Sequence, residues 1–183
     1  MTFSAAPFLA ELEREFPNFK VVYKRESLLC RWIHHALLLV TLGGQRSFLA
    51  GYYTVIGDTL YVPESWDTLA PADRVVLLRH ERVHLRQRRR YGMLGMTFLY
   101  LLPLLPLGLA YGRARIEWEA YTETLRATAE LLGRDALHSR ALRERIVGRF
   151  TGPDYGWMWP FRKQVERWYD AAVAQIEREL ELH

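Results

Sequence analysis

The sequence His80-Glu81-Arg82-Val83-His84 lies within residues 71–91, where the spacing of apolar residues predicts a helix. Pro71 suits the first turn of that helix, and neither glycine nor another proline interrupts it before the motif. Histidines four residues apart stack on one helical face, so two imidazoles can bind one zinc ion. Glu81 follows the first histidine, where it can act as general base towards a metal-bound water. The motif therefore predicts a catalytic zinc site.

The predicted helix is amphipathic, and its two histidines fall on the less polar side. At about 100° per residue, His80 and His84 lie near Val76 and Leu77. The arginines cluster on the other side, at Arg79, Arg82, Arg86, Arg89 and Arg90. We therefore expect the histidines to face the protein interior and the arginines to face solvent.

A zinc site built from two histidines needs a third protein ligand, and residues 115–132 offer four carboxylates. Three of them share a charged helical face with arginines, which is typical of a solvated surface: Glu119, Glu123 and Glu130. Glu117 alone lies at the centre of the opposite face. A carboxylate buried there costs several kcal/mol unless a cation or hydrogen-bond donors meet it. We interpret Glu117 as the third zinc ligand, and burial against an arginine stays open as the alternative.

His80-Glu81-Arg82-Val83-His84 followed by Glu117-Trp118-Glu119-Ala120 resembles the gluzincin family of zinc metallopeptidases, and most closely its small single-domain minigluzincins. In that family HExxH on one helix is completed by a glutamate in an E-x-x-A context on a second helix. The resemblance covers roughly residues 52–132 and implies hydrolysis of a peptide bound along an edge strand. In many gluzincins an aspartate follows the alanine and supports a zinc-binding histidine. This chain has Tyr121 there, so that support is in doubt.

The residues before the motif predict a small antiparallel sheet. Residues 36–42 are a short apolar run, and residues 47–56 contain aromatic and β-branched residues. Gly57-Asp58 can form a two-residue turn that leads into a strand at residues 59–62. We therefore predict an α+β, zincin-like fold, in which this sheet packs on the HExxH helix and further helices surround the two.

The segment between the two ligand-bearing helices, from Gly92 to Gly112, contains no charged residue and is long enough to span a membrane. A single crossing would separate the ligands by about 30 Å, whereas zinc needs each of them at about 2 Å. Pro103 and Pro106 are natural breakers near its middle, so we expect a hairpin. The hairpin either packs into the core or makes peripheral contact with a membrane, as its flanking arginines and the existence of integral-membrane gluzincins suggest.

Both ends of the chain have helical periodicity. Helices are predicted at residues 4–16, 134–149 and 161–182. The loop before the last of them, residues 152–160, contains two tryptophans and one tyrosine. It either anchors the last helix as an aromatic plug or forms a substrate wall or membrane-touching tip.

Composition predicts one domain. A chain of 183 residues, half of them hydrophobic, can bury a proper core. We expect a catalytic core at about residues 36–132 and a C-terminal helical extension at about 133–183. The single Cys30 excludes an internal disulfide, and we expect a buried thiol there. Without a recognisable signal sequence at Met1, the expected location is cytoplasmic, with peripheral membrane contact left open.

A nucleic-acid partner is not expected. The run Arg86-Gln87-Arg88-Arg89-Arg90 is basic, but the net charge is only +4 and no aromatic-interleaved basic stripe or binding motif accompanies it. A solvated helix face explains the run better.

The sequence thus predicts a zinc metallopeptidase that acts on a peptide or protein substrate. His80, His84 and Glu117 would hold Zn²⁺, and Glu81 would act as general base. Two alternatives stay open, namely a noncatalytic, zinc-stabilised binding module and a membrane-associated protease that is latent until it meets a partner. Glu81 argues against the first, because a structural zinc site does not need a general base.

Overall fold

The computed structural model describes residues 4–40, 52–101, 110–152 and 158–182, which are mostly helical with one small sheet. The predicted α+β class is confirmed at that level. The elements, in chain order, are α1 (Ala6–Glu15), β1 (Lys20–Tyr23), α2 (Leu28–Val40), β2 (Thr54–Ile56), β3 (Thr59–Val62), α3 (Pro71–Leu101), α4 (Tyr111–Leu132), α5 (Arg140–Thr151) and α6 (Arg162–Glu181). Short 3₁₀ turns occupy Lys24–Glu26, Glu64–Thr68 and Arg134–His138. The predicted terminal helices are confirmed.

The sheet has three strands in the order β1-β3-β2, and it is mixed. Strands β2 and β3 form the predicted antiparallel hairpin, whose turn places Gly57 at a φ of 64°, in the left-handed region that favours glycine. Strand β1 pairs with β3 in parallel, with Lys20 opposite Thr59. The prediction of an antiparallel sheet is therefore correct for the hairpin and wrong for the third strand.

The predicted strand at residues 36–42 is wrong over its described part, because helix α2 continues to Val40. The Ser27 hydroxyl accepts a hydrogen bond from the Cys30 amide at 3.2 Å, which caps the start of this helix. No glycine or proline then stops it, and a short apolar run has no period that distinguishes strand from helix. Residues 41–51 lie outside the described residues, so the predicted strand at 47–56 can be compared only from residue 52 onward.

The chain divides into two compact units, residues 1–81 and 82–183. The first contains the sheet, α1, α2 and the beginning of α3. Its core includes the fully buried side chains of Leu12, Leu60 and Leu78, together with Cys30, whose predicted burial is confirmed. The division falls inside α3, between Glu81 and Arg82. The prediction of a single domain stays a prediction.

The second unit is a helical assembly with an aromatic core. Helices α4, α5 and α6 meet around Phe150, whose ring lies 5.7 Å from that of Trp118 and 6.4 Å from that of Trp168. The ring of Trp159 stacks on Trp168 at 6.2 Å, and its indole nitrogen donates to the Gln164 side chain at 3.1 Å. Trp159 therefore anchors α6, as the plug interpretation of the aromatic loop predicts. The other aromatic residues of that loop lie outside the described residues.

Helix α3 is interrupted at Gly92, where φ is 70° and ψ is 172°. The first part of the predicted apolar hairpin is helical as far as Leu101, whereas Pro103 and Pro106 lie outside the described residues. In the part of the chain that the structure describes, no helix is long and apolar enough to cross a membrane. The buried and the membrane-contacting interpretations of the hairpin both stay open.

Candidate metal centre

Helix α3 carries the HExxH motif without a break. Pro71 occupies its first turn together with Asp73, whose negative charge favours a helix N-terminus. His84 is 9% exposed and Glu81 is 6% exposed, whereas His80 is half-buried. The prediction that the histidines face inward is confirmed for His84 and is met in part for His80.

Glu117 lies on α4 and is buried, with 3% of its surface exposed. One of its carboxylate oxygens, Oε2, lies 3.7 Å from Nε2 of His84. The neighbouring positions on its helical face, Ala114 and Ala120, are fully buried. The predicted burial of Glu117 is therefore confirmed, and the helix brings its carboxylate to a motif histidine.

The three predicted ligands form one group. His80, His84 and Glu117 each offer one ligand atom, and these atoms all lie within 4.8 Å of one another. Two ligand atoms about 2.1 Å from a tetrahedral zinc ion lie about 3.4 Å apart, close to the separation of His84 and Glu117. The group can therefore hold a metal ion.

Gln87 supports His84 from the next turn of α3. The two side chains are hydrogen-bonded at 2.9 Å, between Nδ1 of His84 and Oε1 of Gln87. The Gln87 amide nitrogen donates to the Ile116 carbonyl oxygen at 3.0 Å and to Oε2 of Glu119 at 2.9 Å. Gln87 was not predicted as a functional residue, because it stands inside an arginine run. Its signal was an uncharged amide three residues after a ligand, on the same helical side.

Glu119 is exposed, as predicted, but it is more than a surface charge because it holds Gln87. Together with Gln87 it lines a cleft of about 800 Å³ between the side chains of α3 and α4. Half of the residues that line this cleft are charged, including Arg86, Arg90 and Arg115. The predicted basic helix face thus borders the residues that support His84.

Tyr121 occupies the position at which many gluzincins have an aspartate. Its ring packs 5.5 Å from the ring of Phe150, against the core of the second unit. His84 is hydrogen-bonded to the side chain of Gln87. The chain thus departs from the gluzincin pattern at Tyr121 and supports the histidine from the motif's own helix.

A buried lysine lies near Glu81. Lys24 is 1% exposed, and burial lowers its pKa to about 8, while electrostatic interactions with Cys30 and Glu81 act in the opposite direction. Lys24 belongs to the short 3₁₀ turn after β1. Its burial was not predicted, because a single lysine between a short strand and a helix gives no local sign of burial.

Comparisons of this chain with protein-family models, with curated proteins and with solved structures give no match. The resemblance to gluzincins therefore rests on the HExxH and E-x-x-A residues alone.

Proposed function

We infer that this protein is a zinc-dependent peptide hydrolase in which His80, His84 and Glu117 hold Zn²⁺ and Glu81 is the general base. The observation that carries the proposal is the position of Glu117. Its carboxylate is buried on a different helix from the motif, yet it lies 3.7 Å from Nε2 of His84. Burying a carboxylate costs free energy unless a cation or hydrogen-bond donors stabilise its charge. A metal ion shared with His80 and His84 would be such a cation.

The donor set favours zinc. Two imidazoles and one carboxylate, with a fourth position left for water, are the ligands of several catalytic zinc sites. Calcium and magnesium prefer sites built from oxygen atoms alone. The same donors also serve non-haem Fe(II) enzymes, but a glutamate directly after the first histidine on a helix is the arrangement of zinc peptidases.

The residues around the site have separate roles. When bound, zinc supplies a water of lowered pKa and polarises the carbonyl of the substrate. Glu81 accepts the proton of the attacking water and passes it to the leaving amine. Glu81 is buried, and Lys24 lies close enough to interact with it electrostatically.

The proposal is tested with Glu81→Gln, which keeps the shape of the side chain and removes the base. Zinc content should stay unchanged, while cleavage of a mixed library of unstructured peptides, followed by mass spectrometry, should fall by about 10²- to 10⁴-fold. Glu130→Gln, at an exposed position of α4, is the matched control and should retain both properties.

Two results would contradict the proposal. Unchanged cleavage by Glu81→Gln would remove this residue from the chemistry. A zinc-loaded wild type that cleaves no peptide in the library would instead favour the noncatalytic, zinc-stabilised binding module.

A further inference from the structure

The orientation of the Gln87 side chain is fixed by its surroundings. Its amide nitrogen faces two groups that can only accept hydrogen bonds, the Ile116 carbonyl at 3.0 Å and the Glu119 carboxylate at 2.9 Å. Rotating the amide by 180° would set its oxygen against both of them. Each of the two N–H groups therefore has one acceptor, and the amide oxygen has to face His84.

This orientation decides which nitrogen of His84 carries a proton. The Gln87 oxygen, which can only accept, lies 2.9 Å from Nδ1, so that nitrogen has to donate an N–H. In a neutral imidazole the other nitrogen, Nε2, then keeps its lone pair. Nε2 is the atom that lies 3.7 Å from the Glu117 carboxylate, and a lone pair there is what a metal ion needs.

We propose that Gln87 is a positioning residue, which holds His84 as the Nδ1–H tautomer with Nε2 directed towards the metal position, and that Glu119 holds Gln87 in turn. The consequence for zinc affinity rests on the proposed function. The tautomer does not, because it is a property of the metal-free protein.

The burial of this group is consistent with such a role. Gln87 is 3% exposed, although its neighbours Arg86 and Arg89 are exposed. An amide that only contacts solvent would not be enclosed, and an amide that only fills space would not need three hydrogen bonds. Hydrogen-bond partners of metal-ligating histidines set the tautomer and the orientation of the ring, and their loss commonly weakens metal binding by about 10- to 100-fold.

The tautomer is tested first, on metal-free protein labelled with ¹⁵N in its histidines. Long-range proton–nitrogen spectra, recorded in mildly alkaline buffer and assigned with His84→Asn, distinguish a protonated ring nitrogen from an unprotonated one. Wild type should show His84 with its proton on Nδ1, and Gln87→Met, which has a similar shape and no amide, should lose this preference. A proton on Nε2 in wild type, or an unchanged His84 spectrum in Gln87→Met, would overturn the proposal.

Zinc affinity is measured next, by competition with a chromogenic chelator. Gln87→Met should bind zinc about 10- to 100-fold more weakly than wild type. Glu119→Gln keeps an oxygen that can accept from Gln87 and should bind nearly as wild type does, whereas Glu119→Ala should bind more weakly. Gln175→Met replaces an exposed glutamine of α6 and controls for the substitution itself.

The two proposals fail in different ways. If wild type binds no zinc, the proposed function fails, and the spectrum of the metal-free protein still decides the role of Gln87. If wild type binds zinc and Gln87→Met binds it equally tightly, the positioning role fails and the zinc site stands. Should Gln87→Met not fold, the pair Glu119→Gln and Glu119→Ala makes the same test.

Discussion

Replacing Lys24 with methionine should remove a specific pH dependence of folding stability. Lys24 is 1% exposed, and burial lowers its pKa from 10.5 to about 8. The unfolded chain therefore binds this proton more tightly than the folded protein does. Below pH 8 the lysine is protonated in both states, and the folded state carries the full cost of the buried charge. Between pH 8 and 10.5 the folded lysine is the first to lose its proton, so stability rises with pH.

The magnitude follows from the two pKa values of Lys24. At about 1.4 kcal/mol per pH unit, their separation corresponds to about 3 kcal/mol. Lys24→Met cannot titrate and lacks this contribution. The free energy of unfolding of wild type, relative to that of the variant, should therefore increase by about 3 kcal/mol from pH 7 to pH 10.5.

The assay is urea unfolding followed by circular dichroism, with a chelator present so that metal binding does not contribute. Groups that do not interact with Lys24 titrate alike in both proteins and cancel in the difference, so the comparison isolates Lys24 and the groups coupled to it. Stability at a single pH is a poorer test, because methionine also deprives Glu81 of a nearby positive charge. Lys20→Met removes an exposed lysine of β1 and should follow wild type at every pH. A parallel pH dependence of wild type and Lys24→Met would refute the reasoning.

Three further predictions concern the second unit. Phe150 is fully buried among aromatic rings, so Phe150→Ala should lower the free energy of unfolding, measured with urea, by about 3–5 kcal/mol. A decrease below about 1 kcal/mol would show that this core is loosely packed. Gly133 has a φ of 93° and a ψ of 158°, a region that only glycine adopts readily, so Gly133→Ala should lower the free energy of unfolding by about 1–3 kcal/mol. Gly148 lies on α5 with open space around it, so Gly148→Ala should instead raise the free energy of unfolding by about 0.5–1 kcal/mol. Equal effects of the two substitutions in thermal melts would contradict the backbone argument. Arg143 and Asp170 form a surface ion pair, so Arg143→Ala should cost at most about 1 kcal/mol, and a larger loss that salt does not reduce would argue that the pair is structural.

The elements that the sequence predicted well are those with local signals. The HExxH helix begins at Pro71 as expected, because proline at a helix start and an uninterrupted 3.6-residue period need no distant partner. The hairpin turn at Gly57-Asp58 is local in the same sense. The burial of Glu117 followed from its place on one face of α4.

The elements that the sequence failed to predict depend on distant partners. Strand β1 has four residues and exists through parallel pairing with β3, which lies far along the chain. Residues 36–40 have strand-forming composition, yet they continue the helix that Ser27 caps. Tertiary context decides between helix and strand for such a run.

The candidate site shows the same division between local and distant signals. Its three predicted ligands come together, because helical spacing alone places two of them and the polarity of one helix face singles out the third. Gln87 and Lys24 were not predicted, because their roles depend on residues that are distant in the sequence. Gln87 is held by Glu119, and Lys24 lies near Glu81.

Metal content is the most direct test of the central claim. Protein purified without chelators should contain about one zinc per chain by mass spectrometry. His84→Ala and Glu117→Ala should both lose it, whereas Glu130→Ala, at an exposed position of α4, should retain it. Absence of zinc from wild type after reconstitution, or full zinc in the His84 and Glu117 variants, would contradict the proposed site.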